Sequence, residues 1–519
     1  MSEHHKISRR AGIFGFYTLI SRILGLVRDS VVAYFFGTRA AADAFYVAFR
    51  IPNLLRRLLA EGSLTMAFVP VFTEYLKQSR AEGKKVADIV FTYLSMLLAL
   101  ITILGILFAP SIVKVIAYGF EGTPDKLALT VYLTRLMFPY IFLVSLMALA
   151  MGILNTLKIF GAPAASPIFL NLGIIAGAAF LSRFFAEPTV GLAIGVLIGG
   201  VLQLLLQIPW LACEGMIPRF NFDWRHPALK RIGLIMLPSV YGGAVYQVNV
   251  LVITLLASFL PTGSVSYLWY ADRVNEFPLG LFAVAVATAT LPTLSDHAAE
   301  NRLQDFKNVL NYGLRIALTE SIPAMIGIWL LAEPIVRILF ERGEFGAAST
   351  AGTVGALRFF ALGIPFITGV RNIVPAFYAL KDAKTPVYVA TVALAANAIC
   401  SLLLMGPMKH MGLALSMAIA AAVNFVLLIY IFRRKMGPIG GRVLAKSVVR
   451  TTIACIGIVG VIFGAKFGLG FFGGNMSKWW EAGQLFSVIF VSVILYLVIL
   501  KFIAPEEFGH FKSIVGRRK

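Results

Sequence analysis

The sequence predicts an all-α polytopic membrane protein of about fourteen spanning helices. Three observations predict it. Apolar runs of roughly 20 residues, each long enough to cross a bilayer core as a helix, recur from end to end. Of the 519 residues, 59% are hydrophobic and 14% charged, whereas soluble proteins are nearer a quarter charged. The two-residue alternation in segments of about 10 residues that marks a membrane barrel is not visible, and a helix satisfies its own backbone hydrogen bonds in lipid.

The expected spans lie near 11–36, 42–73, 86–117, 127–155, 163–184, 188–213, 229–260, 264–296, 308–340, 350–380, 385–406, 411–432, 443–468 and 482–504. Connections are short, so no soluble domain is inserted. The first apolar segment follows His4, His5, Lys6, Arg9 and Arg10. Without a small-residue cleavage site it reads as a span, not a removed signal.

The net charge of +21 would suggest a nucleic-acid partner in a soluble protein. Here it has another source, because cytoplasmic loops of membrane proteins are rich in Lys and Arg. With a cytoplasmic N-terminus, about 27 Lys and Arg fall inside against about 7 outside. An even span count then puts both termini in the cytoplasm. Cys213, Cys400 and Cys455 are scattered and give neither a disulfide framework nor metal spacing.

An internal repeat follows from charged residues and prolines. Arg50 and Arg273 differ by 223 positions, as do Glu121 and Glu344, Arg135 and Arg358, Lys158 and Lys381, and Pro163 and Pro386. The offset covers six helices, so the copies share one orientation. Parallel repeats of this kind occur in transporters with a substrate site between the halves. The expected organisation is an N-terminal lobe over 1–213, a C-terminal lobe over 214–437, and an extra helix pair with a cytoplasmic tail over 438–519.

The informative residues are ionisable groups inside spans, which are costly in hydrocarbon and usually face a bundle interior or a watery cavity. The first span carries Ser21, Arg22, Arg28 and Asp29. Arg22 lies roughly 16 Å past Ala11 at helical rise, too deep for easy snorkelling. In the second span Asp43, Arg50, Asn53, Arg57 and Glu61 follow helical spacing and form one polar stripe, with Arg56 beside it. Pro52 predicts a kink there. The eighth span carries Asp272, Arg273 and Glu276. Arg28 with Asp29, or Arg57 with Glu61, can simply pair and lock helices. The excess of arginine points instead to a cavity for an anionic head group, because the guanidinium fork suits phosphate and carboxylate.

Nothing in the sequence suggests an enzyme. There is no GxxxxGK[ST] phosphate loop, no HExxH and no GxSxG. The histidines sit at ends or loop edges.

The segments SRILGLVRD (21–29), DAFYVAFRIPNLLRRLLAEG (43–62), YADRVNEFPLG (270–280) and ATATLPTLS (287–295) closely resemble the MurJ (MviN) family. These are lipid II flippases of bacterial peptidoglycan synthesis, within the multidrug/oligosaccharidyl-lipid/polysaccharide exporter superfamily. The resemblance runs over the whole chain. It implies two six-helix lobes around a central cavity in the bacterial inner membrane. It also implies that Arg22, Arg28, Asp29, Arg56 and Arg273 line that cavity and bind lipid II. Ser21, Asp43, Arg50, Asn53, Arg57, Glu61, Asp272 and Glu276 match polar positions whose roles it leaves open. For the last two helices it implies a groove for the polyprenyl tail.

No cofactor is expected. Sodium, protons or the membrane potential are the candidate energy sources. A sodium site at Asn249, Asn397 and Ser401, three mid-span oxygen donors, competes with ordinary helix–helix hydrogen bonding. Apart from lipid II the expected partners are membrane lipids, and protein partners are unknown. Another lipid-linked oligosaccharide, or a drug, on the same fold is the alternative substrate. A drug antiporter should show carboxylates and aromatics in its cavity, not arginine. A membrane transferase should show metal-binding or basic carboxylates, and a scaffold has no use for deep arginines.

Overall fold

The computed structural model describes residues 3–58, 64–280, 284–472 and 477–509, with side chains left out at 3–14, 238–243, 245–246, 284–285 and 289. The described residues form helices and connections, with no strand. In the first repeat these are α1 (Glu3–Phe36), α2 (Ala40–Leu55), α3 (Thr65–Gln78), α4 (Arg80–Leu107), α5 (Ala109–Ile116), α6 (Pro124–Met137), α7 (Tyr140–Thr156), α8 (Gly161–Ala176), α9 (Pro188–Leu205) and α10 (Ile208–Cys213). The second holds α11 (Pro227–Ser258), α12 (Ser264–Pro278), α13 (Val284–Ala299), α14 (Leu303–Phe340), α15 (Ala347–Ala361), α16 (Ile364–Ala379), α17 (Lys384–Met408) and α18 (His410–Met436). Then come α19 (Gly441–Phe463) and α20 (Lys478–Ile503).

Among the described residues, nine helical stretches are long and apolar enough to cross a membrane, or ten if α15 and α16, bent by 43°, count as one span. The other four expected spans coincide with α1, α2 with α3, α11, and α12 with α13. Of these, α11 includes the apolar stretch Gln247–Ser258. Among the described residues nine or ten spans are thus identified, and the count of fourteen rests on the sequence pattern and loop charge.

The helices repeat at the offset read from the charges. Arg80, Pro124 and Gly161 begin α4, α6 and α8, and their counterparts 223 positions on, Leu303, Ala347 and Lys384, begin α14, α15 and α17. The ends match in finer detail. Lys158 (φ 66°) and Lys381 (φ 60°) are both left-handed, a conformation most L residues avoid. Each closes its helix in the same way. Lys158 N–H donates to the Asn155 carbonyl at 3.0 Å and Ile159 N–H to Leu154 at 2.9 Å; Lys381 N–H donates to Tyr378 and Asp382 N–H to Phe377, both at 2.9 Å. This is a Schellman closure written twice.

A second shared feature follows Pro52. The α-helical winding of α2 stops at Leu55 and residues 56–58 take the wider π winding. At the equivalent place α12 stops at Pro278, and residues 279–280 are π-wound. The predicted kink is thus a change of winding, the usual response of a helix that has lost a backbone donor.

By packing, the chain divides into residues 1–266 with 342–345, and residues 267–341 with 346–519. Packing therefore groups α11 with the first unit, whereas the repeat places the lobe boundary after residue 213. The reason is local: Ala228 and Ile232 of α11 join the apolar cluster around Phe68 and Phe72 of α3, whose rings stack at 4.9 Å. In the same unit α8 and α9 touch backbone to backbone, and a Cβ on Gly173 would meet the Gly195 carbonyl at 2.6 Å. Close approach through small residues is how helices gain contact in lipid, where apolar burial brings little. In the second unit α13, α14, α16 and α18 share one apolar cluster, and α14, α19 and α20 share another.

Candidate functional site

Within α1, the expected cavity residues divide into paired and open groups. Arg28 and Asp29 have side-chain exposures of 14% and 4%. Arg28 Nε donates to Asp29 Oδ1 at 2.9 Å, and Nη2 donates to Oδ1 at 2.8 Å and Oδ2 at 2.9 Å. Its Nη1 donates to Asn171 Oδ1 of α8 at 3.1 Å, and Asn171 Nδ2 donates to the Ser21 carbonyl at 3.0 Å. All three guanidinium nitrogens are thereby engaged. Arg22, one turn and a half earlier, is exposed and has no hydrogen-bond or ion-pair partner among the described residues. In this conformation Arg22 is the open donor of α1, and Arg28 is the braced one.

The α2 stripe also separates by depth. Asp43 is 1% exposed and is fully engaged. Lys126 Nζ of α6, itself buried, donates to Asp43 Oδ2 at 2.8 Å. The Gly263 N–H donates to Oδ2 at 2.8 Å, and Ser266 donates to Oδ1 through N–H at 2.9 Å and Oγ at 2.6 Å. Asp43 therefore caps the first turn of α12, where a carboxylate also meets the helix dipole. Its place is structural in this conformation, not open to solvent. Arg50 Nη1 donates to Thr254 Oγ1 of α11 and, at 3.5 Å, to the Val250 carbonyl. Arg56 Nε donates to Asn53 Oδ1 at 3.1 Å. Arg56 and Arg57 sit half-buried on the π-wound turn, so the stripe follows plain α-helical spacing only as far as Asn53. Glu61, with its expected pairing to Arg57, lies outside the described residues.

In the second unit Arg273 Nη1 donates to Glu276 Oε2 at 2.9 Å, and its guanidinium lies 4.7 Å from the Trp269 ring centre. Asp272 is half-buried beside it. Arg50 and Arg273 repeat in position, Arg50 reaching Thr254 and Arg273 reaching Glu276.

The three amide and hydroxyl donors considered for sodium separate as well. Ser401 Oγ lies 2.6 Å from Ser416 Oγ and donates to Asn397 Oδ1 at 3.5 Å, which is helix–helix hydrogen bonding between α17 and α18. Asn249 belongs to α11 in the other unit. Among the described residues no three His, Cys, Asp or Glu side chains cluster as a metal site.

Sequence reasoning missed two residues that matter. Lys126 reads as an ordinary loop-end lysine, yet a lone aspartate near the start of a span requires a cation, and Lys126 is that cation. Asn171 is a mid-span amide of the same kind as Asn249 and Asn397, and that signal was available.

These features define a polytopic α-helical membrane protein with charged residues inside its helical bundle. The family model described as "Lipid II flippase MurJ" matches residues 32–475. A probable lipid II flippase MurJ of Buchnera aphidicola subsp. Acyrthosiphon pisum is 35% identical over 505 residues, 96% of each chain. One from Vibrio cholerae is 38% identical over 79% of this chain and 80% of its own. The lipid II flippase MurJ of Burkholderia cenocepacia is 37% identical over 81% of this chain and 82% of its own. Among solved structures, "Lipid II flippase MurJ, inward closed conformation" aligns with a TM-score of 0.78 and 28% identity, covering 94% of this chain and 98% of that one. An inward-facing MATE transporter of the MOP superfamily aligns at 0.68 and 15% identity over 83% of this chain and 98% of its own, which speaks to fold alone. The chain belongs to the MurJ lipid II flippase family.

Proposed function

We propose that this protein moves lipid II from the inner to the outer leaflet of the bacterial inner membrane by alternating access, with both termini cytoplasmic. The observation that carries the reading is membership of the MurJ family over nearly the whole chain. The charge pattern fits it. Lipid II joins a pyrophosphate and peptide carboxylates, too polar to cross lipid unaided, to a tail that stays in it. Exposed Arg22 supplies a fork of donors for such an anion. Arg28, Asp29, Arg56 and Arg273 complete the proposed binding set. Transport of this kind makes and breaks no covalent bond in its cargo. The two six-helix repeats supply the lobes, and charges moved with them can draw on the membrane potential at roughly 2.3 kcal/mol per charge per 100 mV.

The test is complementation of a strain depleted of its lipid II flippase, read together with the accessibility of lipid II at the outer face. Growth with restored outer-face lipid II is the expected result. Growth without it, or insertion without either, overturns the proposal.

A further inference from the structure

The loop between α10 and α11 is held to α4 in a way that connection alone does not require. Its odd-numbered residues attach it. The Arg219 N–H donates to Asp88 Oδ1 at 2.8 Å, the Asn221 N–H donates to Thr92 Oγ1 at 2.7 Å, and Asp223 pairs with Lys85 at 3.0 Å. Tyr93 adds a hydrogen bond from its hydroxyl to the Phe222 carbonyl at 2.9 Å. The even-numbered residues among them are all aromatic and largely exposed, with the Phe220 ring also resting against Phe91 of α4 at 5.3 Å. Phe220, Phe222 and Trp224 are 66%, 64% and 67% exposed. A tight turn follows, in which the Trp224 N–H donates to the Phe222 carbonyl at 2.8 Å, and together these attachments hold the three exposed rings in place. The rings of Phe220 and Phe222 stack at 6.3 Å.

The charges around these rings are uneven. Most nearby acids are engaged: Glu214 with Arg80, Asp88 with Lys84, Asp223 with Lys85 and Glu74 with Arg231, while Glu82 reaches only His226, at 4.0 Å. Arg219 and Arg225 are exposed, and neither guanidinium has a carboxylate partner among the described residues. Arg225 lies over the Trp224 ring at 5.3 Å. Three rigidly held aromatics flanked by two open guanidinium groups, beside the starts of α4 and α11, match the chemistry of the headgroup layer. There aromatic rings settle between tail and water, and guanidinium meets phosphate.

We propose that residues 219–225 form an interfacial strap that binds acidic phospholipid on the basic face of the protein. Phe220, Phe222 and Trp224 enter the layer at the level of the glycerol backbone, and Arg219 and Arg225 hold the lipid phosphate. The proposal is independent of what the protein transports.

The test uses the full chain reconstituted in phosphatidylcholine vesicles with or without phosphatidylglycerol. Association of spin-labelled phosphatidylglycerol and spin-labelled phosphatidylcholine is compared for wild type, R219Q/R225Q and R219K/R225K. The wild type should prefer the acidic lipid. The preference should weaken with salt and fall about fivefold for each arginine neutralised, the fold-change equivalent to roughly 1 kcal/mol per basic residue at an anionic surface. The lysine pair should keep most of it. Brominated phosphatidylcholine should quench the fluorescence lost in W224F. Equal association of the two lipids in the wild type, or an unquenched Trp224, overturns the proposal. So does release of the labelled lipid by inorganic phosphate, which would assign the site to a soluble anion. Cross-linking of Trp224 to a second copy of the chain in place of lipid also overturns it.

Discussion

Arg28 shows how a deep arginine can be both costly and stable. Its charge is met by Asp29 on the same helix and by Asn171 on α8, so removing any one partner leaves a partly buried charge short of contacts. Breaking such a pair typically costs about 3–5 kcal/mol when fully buried and less where exposure remains. Arg28→Ala should abolish complementation. Arg28→Lys should impair it at normal protein level, because lysine keeps the charge but cannot span Asp29 and Asn171 together. Wild-type outer-face lipid II in the lysine variant would mean that charge alone suffices there. Arg22→Ala separates substrate contact from bracing: it should lose transport with unchanged thermal stability, since no protein contact is lost. The presence of charge at these positions was legible in the sequence. Which charge is braced was not, because Asn171 is 143 positions from Arg28 and no local spacing reveals it. The same holds for Asp43, whose ion-pair partner Lys126 is 83 positions away.

At the scale of helices, the repeat was readable because it is carried by residues that lipid does not select. Apolar residues match by chance in so apolar a chain, whereas Lys158 and Lys381 do not. Their left-handed closures give the match a physical cause and a test. Lys158→Val and Lys381→Val should each lower stability by about 1 kcal/mol or more, because a β-branched side chain opposes positive φ. The glycine variants should stay near wild type, since glycine enters that region without a Cβ penalty. Thermal unfolding in detergent distinguishes them, and equal effects of Val and Gly would remove the argument. Beyond Lys381, Asp382 ties the end of α16 to the end of α18. Partial burial pushes its carboxyl up, but hydrogen bonds from Lys435 and Thr385 outweigh this and hold it at about 2, below its ordinary 3.8. A depressed folded value stabilises above the unfolded one. Its contribution should therefore be full near neutral pH and disappear as pH falls from about 4 through about 2. The stability difference between wild type and Asp382→Asn should close over that window. A difference that persists at the acid end would show that the ion pair is not its source.

For the whole molecule, the residues outside the repeat pose the remaining question. The sequence shows two extra apolar segments and gives no reason for them. The structure shows how they are held. Arg315, a third of the way along α14, pairs with Glu507 beyond α20 at 2.5 Å, and Arg337, near its end, pairs with Glu481 of α20 at 3.4 Å. Between them the Tyr496 hydroxyl donates to the Thr319 carbonyl at 2.6 Å, and Thr319 and Thr451 hydroxyls meet at 3.3 Å. The two arginines are about 33 Å apart along α14 at helical rise, close to the thickness of a bilayer core. The pair is thus fixed to α14 at two well-separated levels by polar contacts, which hold helices in lipid where apolar contact brings little. A pair held in this way is expected to move with α14, and the tail-guiding role that the family resemblance implies can be tested on it. It would add little affinity, because burying each CH₂ gains up to about 0.8 kcal/mol against water but almost nothing against lipid. Truncation after Gly437 should leave an inserted core that binds a soluble head-group analogue but flips lipid II poorly. Arg315→Gln with Arg337→Gln, which loosens both levels in the full chain, should impair flipping in the same direction while α19 and α20 stay inserted. Photo-crosslinks from a tail probe should map to α19 and α20 in the wild type and decline in the double variant. Crosslinks confined to α1–α18, or full flipping by the truncated chain, would show that the pair does not guide the tail.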